Sequence, residues 1–319
     1  MFFQSPPTIK TEVWARVPEE LSLAGRESAW LSNQRRGEPL GSFLEGPSFD
    51  RDGNLWLVDV AHGRIFKVSP DGQDWQVVVQ YEGEPNGLKI HRDGRVFIAD
   101  YANGIMELDP VNGAIRPFLG RERFPDFLGF NDLFFTANGD LWFTDQGYTG
   151  LHDPRGRVWR WSAADGDLTC LLDNVPSPNG LVMSPDESLL YVAVTRANCV
   201  WRMPFLPDGS PMKVGLFVQL SGSLAGPDGL AVDCQGNLLI VQHGGMHTFM
   251  MSPLGEPLAL IRSCLTHGMT NLAYGGEDNR DLFITESLSG AVLRARLVHP
   301  GEPMYAHASQ SENAGEAGT

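Results

Sequence analysis

The 319-residue chain carries 24 Lys and Arg against 39 Asp and Glu, a formal charge of −15. A surface that acidic repels phosphate backbones and argues against nucleic acid as a partner. The length allows a large core, and no apolar run approaches the roughly 18–20 residues of a membrane helix.

The amino terminus, MFFQSPPTIKTEVW, lacks the basic start, apolar centre and small-residue cleavage site of a signal peptide, so a cytoplasmic protein is expected. The stretch Thr11–Val17 reads as a strand with no partner nearby in sequence.

A repeat begins after it. With the turn glycines of FDRDGNLW and IHRDGRVF aligned, the residues eight places earlier are Glu45 and Asn86. The same place is filled by Asn131, Asn179, Asp228 and Thr270 in the units that follow. The spacings are 41, 45, 48, 49 and 42 residues, a mean of 45, which is the period of a propeller blade. In each unit the slot precedes a short strand, a turn and a second strand, as in LKIH and VFIAD or LFFT and LWFTD. No long segment has a 3.6-residue period, which excludes an α/β barrel or a doubly wound sheet. The last unit offers only three strands, and Thr11–Val17 supplies the fourth. The prediction is an all-β, six-bladed β-propeller with four strands per blade, one domain over 1–307, closed by an N-terminal strand. The polar tail 308–319 is expected to be disordered.

The first strand of each blade lines the central channel, so the six slots gather at one mouth. All six carry oxygen: Glu45, Asn86, Asn131, Asn179, Asp228 and Thr270. Asn and Asp also make turns before strands, which is the bland reading of any single slot. Six together point to a hard cation, Ca²⁺ first and Mg²⁺ or Mn²⁺ next, with Zn²⁺ kept as a further possible cofactor. The second strands return to the same mouth and end in Asp59, Asp100, Asp145, Val194, Gln242 and Glu286, a second ring around the first. Beyond it, loops carry Tyr101, Tyr148, Arg196 and His243. With Asn86 and Asp145 these are the expected substrate-binding residues. The cysteines Cys170, Cys199, Cys234 and Cys264 show no metal-type spacing and are expected to be free, buried thiols.

The phrases FLEGPSFDRDGNLWLVD, FNDLFFTANGDLWFTD, SPNGLVMSPDESLLYVA and GPDGLAVDCQGNLLIV resemble the senescence marker protein/gluconolactonase/luciferin-regenerating-enzyme family over roughly residues 43–297. Within that family the stretch 44–67 looks most like the drug-responsive bacterial lactonases, and diisopropylfluorophosphatase is a more distant relative. The resemblance implies a six-bladed propeller holding one divalent metal, usually Ca²⁺, on Glu45, Asn131, Asn179 and Asp228. It also implies lactone hydrolysis, with Asp228 as ligand and general base. A second, structural Ca²⁺ is implied by the drug-responsive lactonases, with Asp132 as a contributor. One position departs from the family: an arginine that contacts sugar hydroxyls in relatives is replaced by Gly129. No G-x-S-x-G elbow occurs, which removes a serine hydrolase. The competing readings are a metal-dependent organophosphate or ester hydrolase of the same fold and a non-enzymatic propeller that binds proteins. A small-molecule lactone is the expected partner.

Overall fold

The computed structural model describes residues 5–307, so the tail expectation over 308–319 lies outside the described residues. Six sheets stand around an axis in chain order. The inner strands are Leu44–Phe49, Pro85–Ile90, Phe130–Phe135, Pro178–Met183, Gly226–Val232 and Met269–Gly275, each opening an up-and-down meander that defines blades 1 to 6.

Burial grades outward from the axis. The inner strand of blade 1 is buried along its whole length, whereas the outer strand Trp75–Gln80 exposes much of one face. The core lies between blades: Leu88 and Ile98 of blade 2 pack with Trp56 and Val58 of blade 1, and Leu239 of blade 5 packs with Leu282 of blade 6. Each sheet buries its two faces against its neighbours, the layered solution that a twisted sheet requires. In blades 1 and 5 the turn after the inner strand uses an aspartate to hold the chain. Asp50 Oδ1 accepts the amides of Asp52 at 3.0 Å and Asn54 at 2.9 Å, and Asp233 Oδ1 does the same for Gln235 and Asn237.

Closure follows the sequence prediction. Glu12–Arg16 pairs antiparallel with Ala291–Arg296 as the outer strand of blade 6, and Trp14 meets Phe283 edge-on at 4.9 Å. A further strand, Thr8–Lys10, runs parallel to Pro257–Arg262 and makes blade 5 five-stranded. The N-terminal arm thus ties two blades together.

The four cysteines are free, but only Cys199 is buried; Cys170, Cys234 and Cys264 are exposed, which corrects the expectation of buried thiols. Cys170 sits on an outer strand with a solvent face, and Cys234 and Cys264 lie in loops at strand ends. Among the described residues, no helix is long and apolar enough to cross a membrane.

Candidate metal centre and the cavity above it

All six inner strands lose register with their neighbours at the slot. The breaks fall at Glu45/Ser48, Pro85/Gly87, Phe130/Leu133, Pro178/Leu181, Pro227/Leu230 and Met269/Leu272. A bulge re-aims the side chain it carries. Here it turns five slot residues, Glu45, Asn86, Asn131, Asn179 and Asp228, into one cavity of about 690 Å³ at the channel mouth. The sixth, Thr270, does not line it; its hydroxyl donates to Leu44 O at 2.9 Å and lies 2.8 Å from the Thr285 hydroxyl, so it fastens blade 6 to blade 1.

The residue after each slot explains how the channel is filled. Those places hold Gly46, Gly87, Asp132, Gly180, Gly229 and Asn271. A Cβ on Gly87 would come 2.5 Å from Asp132 Oδ1, and one on Gly229 would strike Asn271 Oδ1. The glycines make room for two polar side chains, which meet through Asn271 Nδ2 donating to Asp132 Oδ2 at 3.3 Å.

Three carboxyls share this desolvated space. Burial, then Asp228 and Asp132, holds Glu45 well above the usual carboxylate range. Burial and the charge of Asp132 push Asp228 up to about 8, against the opposing pull of the Asn179 amide and Arg196. Burial also raises Asp132, with Lys89 acting against it. Such a set demands positive charge before it ionises at neutral pH.

Asn131 carries the clearest sign of a ligand. Its Nδ2 donates to Gln146 Oε1 at 2.9 Å, and Gln146 Nε2 donates to Ser177 Oγ at 3.0 Å. That chain fixes the amide so that Oδ1 is buried without a hydrogen-bond partner. Glu45, Asn131, Asn179 and Asp228 therefore fit a divalent cation bound through oxygen, two ligands charged and two neutral. Among the described residues no group of three or more His, Cys, Asp or Glu that could hold a metal occurs.

Above the donors, Tyr101, Tyr148, Arg196 and His243 line the cavity wall, together with Asn86. His243 Nδ1 lies 2.9 Å from Met269 O, so Nδ1 carries the proton and Nε2 is an acceptor; burial pulls its pKa down and keeps the ring neutral. Asp145 corrects the sequence expectation, for it does not line the cavity. Its Oδ1 accepts the amides of Gly129 at 2.9 Å and Leu128 at 3.1 Å, and its Oδ2 pairs with Arg157. Asp59 and Asp100 of the second ring behave alike. Asp59 takes the Phe43 amide and Arg64, and Asp100 takes the Tyr81 hydroxyl and the amides of Ala102 and Asn103. These residues staple the loops at the mouth rather than facing a ligand.

Sequence reasoning missed Gln146 and Ser177, and it missed a short helix, Ala29–Arg35, which forms one wall. Ser28 caps that helix by accepting the Leu31 amide at 3.2 Å, a signal present in SAWLSNQRR. The helix places Trp30 against Phe43 at 4.6 Å and lets Gln34 Nε2 donate to the Tyr148 hydroxyl at 3.1 Å. Gly129, at φ 140°, lies under the Tyr101 ring; a Cβ there would come 2.7 Å from it. Tyr101 occupies the room that a side chain at 129 would need.

The sequence profile described as SMP-30/Gluconolactonase/LRE-like region matches residues 43–287. The lactonase drp35 of Staphylococcus aureus (strain MW2) is 30% identical over 242 residues, 73% of this chain and 72% of that protein. Its counterpart in Staphylococcus saprophyticus is 29% identical over 272 residues, 81% and 75% of the two chains. The calcium-binding protein regucalcin from Agrobacterium tumefaciens superposes with a TM-score of 0.75 at 20% identity, covering 94% of this chain and 99% of the other. A gluconolactonase from Xanthomonas campestris superposes at 0.70 and 22% identity, covering 93% and 98%. Those two structures share the propeller fold, and the matches in sequence go further: the chain belongs to the SMP-30/Gluconolactonase/LRE-like family.

Proposed function

We propose that the protein is a metal-dependent lactonase whose cation is held by Glu45, Asn131, Asn179 and Asp228. The observation that carries the reading is the buried, unpartnered Oδ1 of Asn131 beside two carboxyls that burial and mutual repulsion hold above their ordinary range. The lactonase and gluconolactonase names of the relatives support the substrate class.

A divalent cation, Ca²⁺ by the hardness of the donors, would supply a Lewis acid for the ester carbonyl. Glu45 and Asp228 provide the charge that retains it, while the two amide oxygens leave it more electrophilic than four carboxylates would. Asp228 takes a proton from water as the water oxygen adds to the carbonyl carbon. The ring C–O bond then breaks, and the proton passes to the departing alkoxide to give an open hydroxy acid. Arg196, which acts on the Asp228 charge, lies at the wall where the new carboxylate forms. His243 offers Nε2 as an acceptor that orients water, and Tyr101, Tyr148 and Trp30 shield the ring of the substrate. Tyr101 over Gly129 favours lactones with few hydroxyls over sugar lactones.

Chelated protein reloaded with Ca²⁺, Mg²⁺, Mn²⁺ or Zn²⁺ should regain hydrolysis of a lactone panel in a pH-indicator assay. Turnover of organophosphates or aryl esters with no lactone opened would favour the related hydrolase. Full activity after chelation would remove the metal from the reaction.

A further inference from the structure

Beyond the donors and the glycine layer lies a second, smaller cavity of about 200 Å³ with a largely apolar wall. Three places after each slot, the inner strands contribute Ser48, Lys89, Phe134, Val182, Ala231 and Ala273, and all six line this cavity. Five are neutral. The sixth is a lysine.

Lys89 is poorly explained as a structural residue. Its neighbours in the strand, Leu88 and Ile90, are buried in the core between blades 1 and 2, and Lys89 itself is turned to the axis. Among the described residues its one hydrogen bond goes to Leu88 O at 3.2 Å, and it has no carboxylate within 4.0 Å. An ammonium carries three donors, so most of its capacity is left for the channel. Asp132 lines the same cavity as Lys89, and so faces the one cationic side chain that the six inner strands contribute to it. Among the described residues the Asp132 carboxylate accepts hydrogen bonds from the Leu133 amide at 2.8 Å and from Asn271. The remaining acids on the cavity wall are Glu187, which accepts the Ala137 amide at 2.6 Å, and Glu302 on the C-terminal segment; both stand away from the inner strands.

The charges on the axis then count simply. Glu45, Asp132 and Asp228 give three negatives, a divalent cation gives two positives, and Lys89 gives the third. We propose that Lys89 is a fixed internal cation of the channel, which neutralises Asp132 and so limits the channel to one divalent ion. The proposal rests on the metal reading of the upper donors. It replaces the second Ca²⁺ that Asp132 was expected to help bind.

The test is metal stoichiometry, independent of turnover. Full-length protein is stripped with chelator, titrated with Ca²⁺ by calorimetry, and its bound metal counted by mass spectrometry after desalting. Wild type should hold one equivalent. Lys89→Met should hold a second equivalent or bind the first at least tenfold more tightly, because a like charge has left the channel. Lys89→Arg should behave as wild type. If Lys89→Met fails to fold, Asp132→Asn answers the same question, since it leaves Lys89 unbalanced and should weaken the single ion at least tenfold. One equivalent with unchanged affinity in Lys89→Met, or in Asp132→Asn, overturns the role of Lys89 and leaves the upper site standing. Two equivalents in wild type overturn it as well. No bound ion in wild type overturns the metal reading and this proposal with it.

Discussion

Asp228→Asn separates the chemistry of the channel from its stability. The substitution keeps the shape and the contact with Asn179 but removes one of three crowded acids. If Asp228 is both ligand and base, hydrolysis should fall by a factor on the order of 10²–10⁴. In the metal-free protein the same change should stabilise the fold, and the sign follows from linkage. Asp228 titrates near 8 when folded and ~3.9 when unfolded, so between those values the native state holds the extra proton. Wild-type stability is then untouched below about pH 4 and declines as the pH rises toward 8. The gap is equivalent to roughly 6 kcal/mol at about 1.4 kcal/mol per tenfold, an upper bound because water can enter the channel. About 3 kcal/mol of relative stabilisation at pH 9 is the expected value, on the order of half that bound. Urea unfolding of chelated wild type and variant at pH 4.5 and pH 9 measures it. The variant should match wild type at the lower pH and exceed it at the higher, and added Ca²⁺ should rescue wild type alone. Equal stability at both pH values would refute the crowded-acid account, and activity within a few-fold of wild type would refute the catalytic role.

Three further outcomes are expected. Gln146→Leu should weaken divalent binding by roughly 10–100-fold, the scale of losing an outer partner of a ligand, with an unchanged circular dichroism spectrum; unaltered affinity would mean that Asn131 needs no orienting group. Deleting residues 1–17 should leave blade 6 with a bare edge and lower the melting temperature or cause aggregation; a soluble truncation that melts with wild type would show that the arm is dispensable. Simple aliphatic or aromatic lactones should be opened at least as well as gluconolactone, measured as kcat/KM; a sugar preference above about 100-fold, equivalent to roughly 2.7 kcal/mol, would show that Arg196 or His243 replaces the missing arginine.

The propeller was legible because its signals are local. A strand, an Asp-Gly type turn and a second strand recur at one period, and each can be read without knowing its neighbours. The slot was legible for the same reason, since the turn glycine counts back to it. What the count could not supply was direction. The register breaks that swing Glu45 and Asn131 toward the axis leave no mark in residue type, and Thr270 shows that a slot residue can serve the backbone instead. Asp145 was misjudged because an acid at a strand end near a mouth resembles a ligand in sequence. Its loop amides and Arg157 come from segments 12 to 17 residues away, and only packing brings them together. The helix Ala29–Arg35 is too short for a periodic pattern, although its serine cap was present.

The arm that ties blades 5 and 6 also sets an order of events during synthesis. Glu12 pairs with Arg294, 282 residues later, so a strand made early is among the last to find its place. At roughly 5–20 residues per second that wait is about 15–60 s, spent by a segment with an exposed strand edge. Its sequence suits the delay: EVWAR puts a charge at each end of a single tryptophan, which discourages pairing with another nascent copy. Until Ala291–Arg296 emerges, the circle stays open, and Glu45, Asn131, Asn179 and Asp228 are not yet gathered at one mouth.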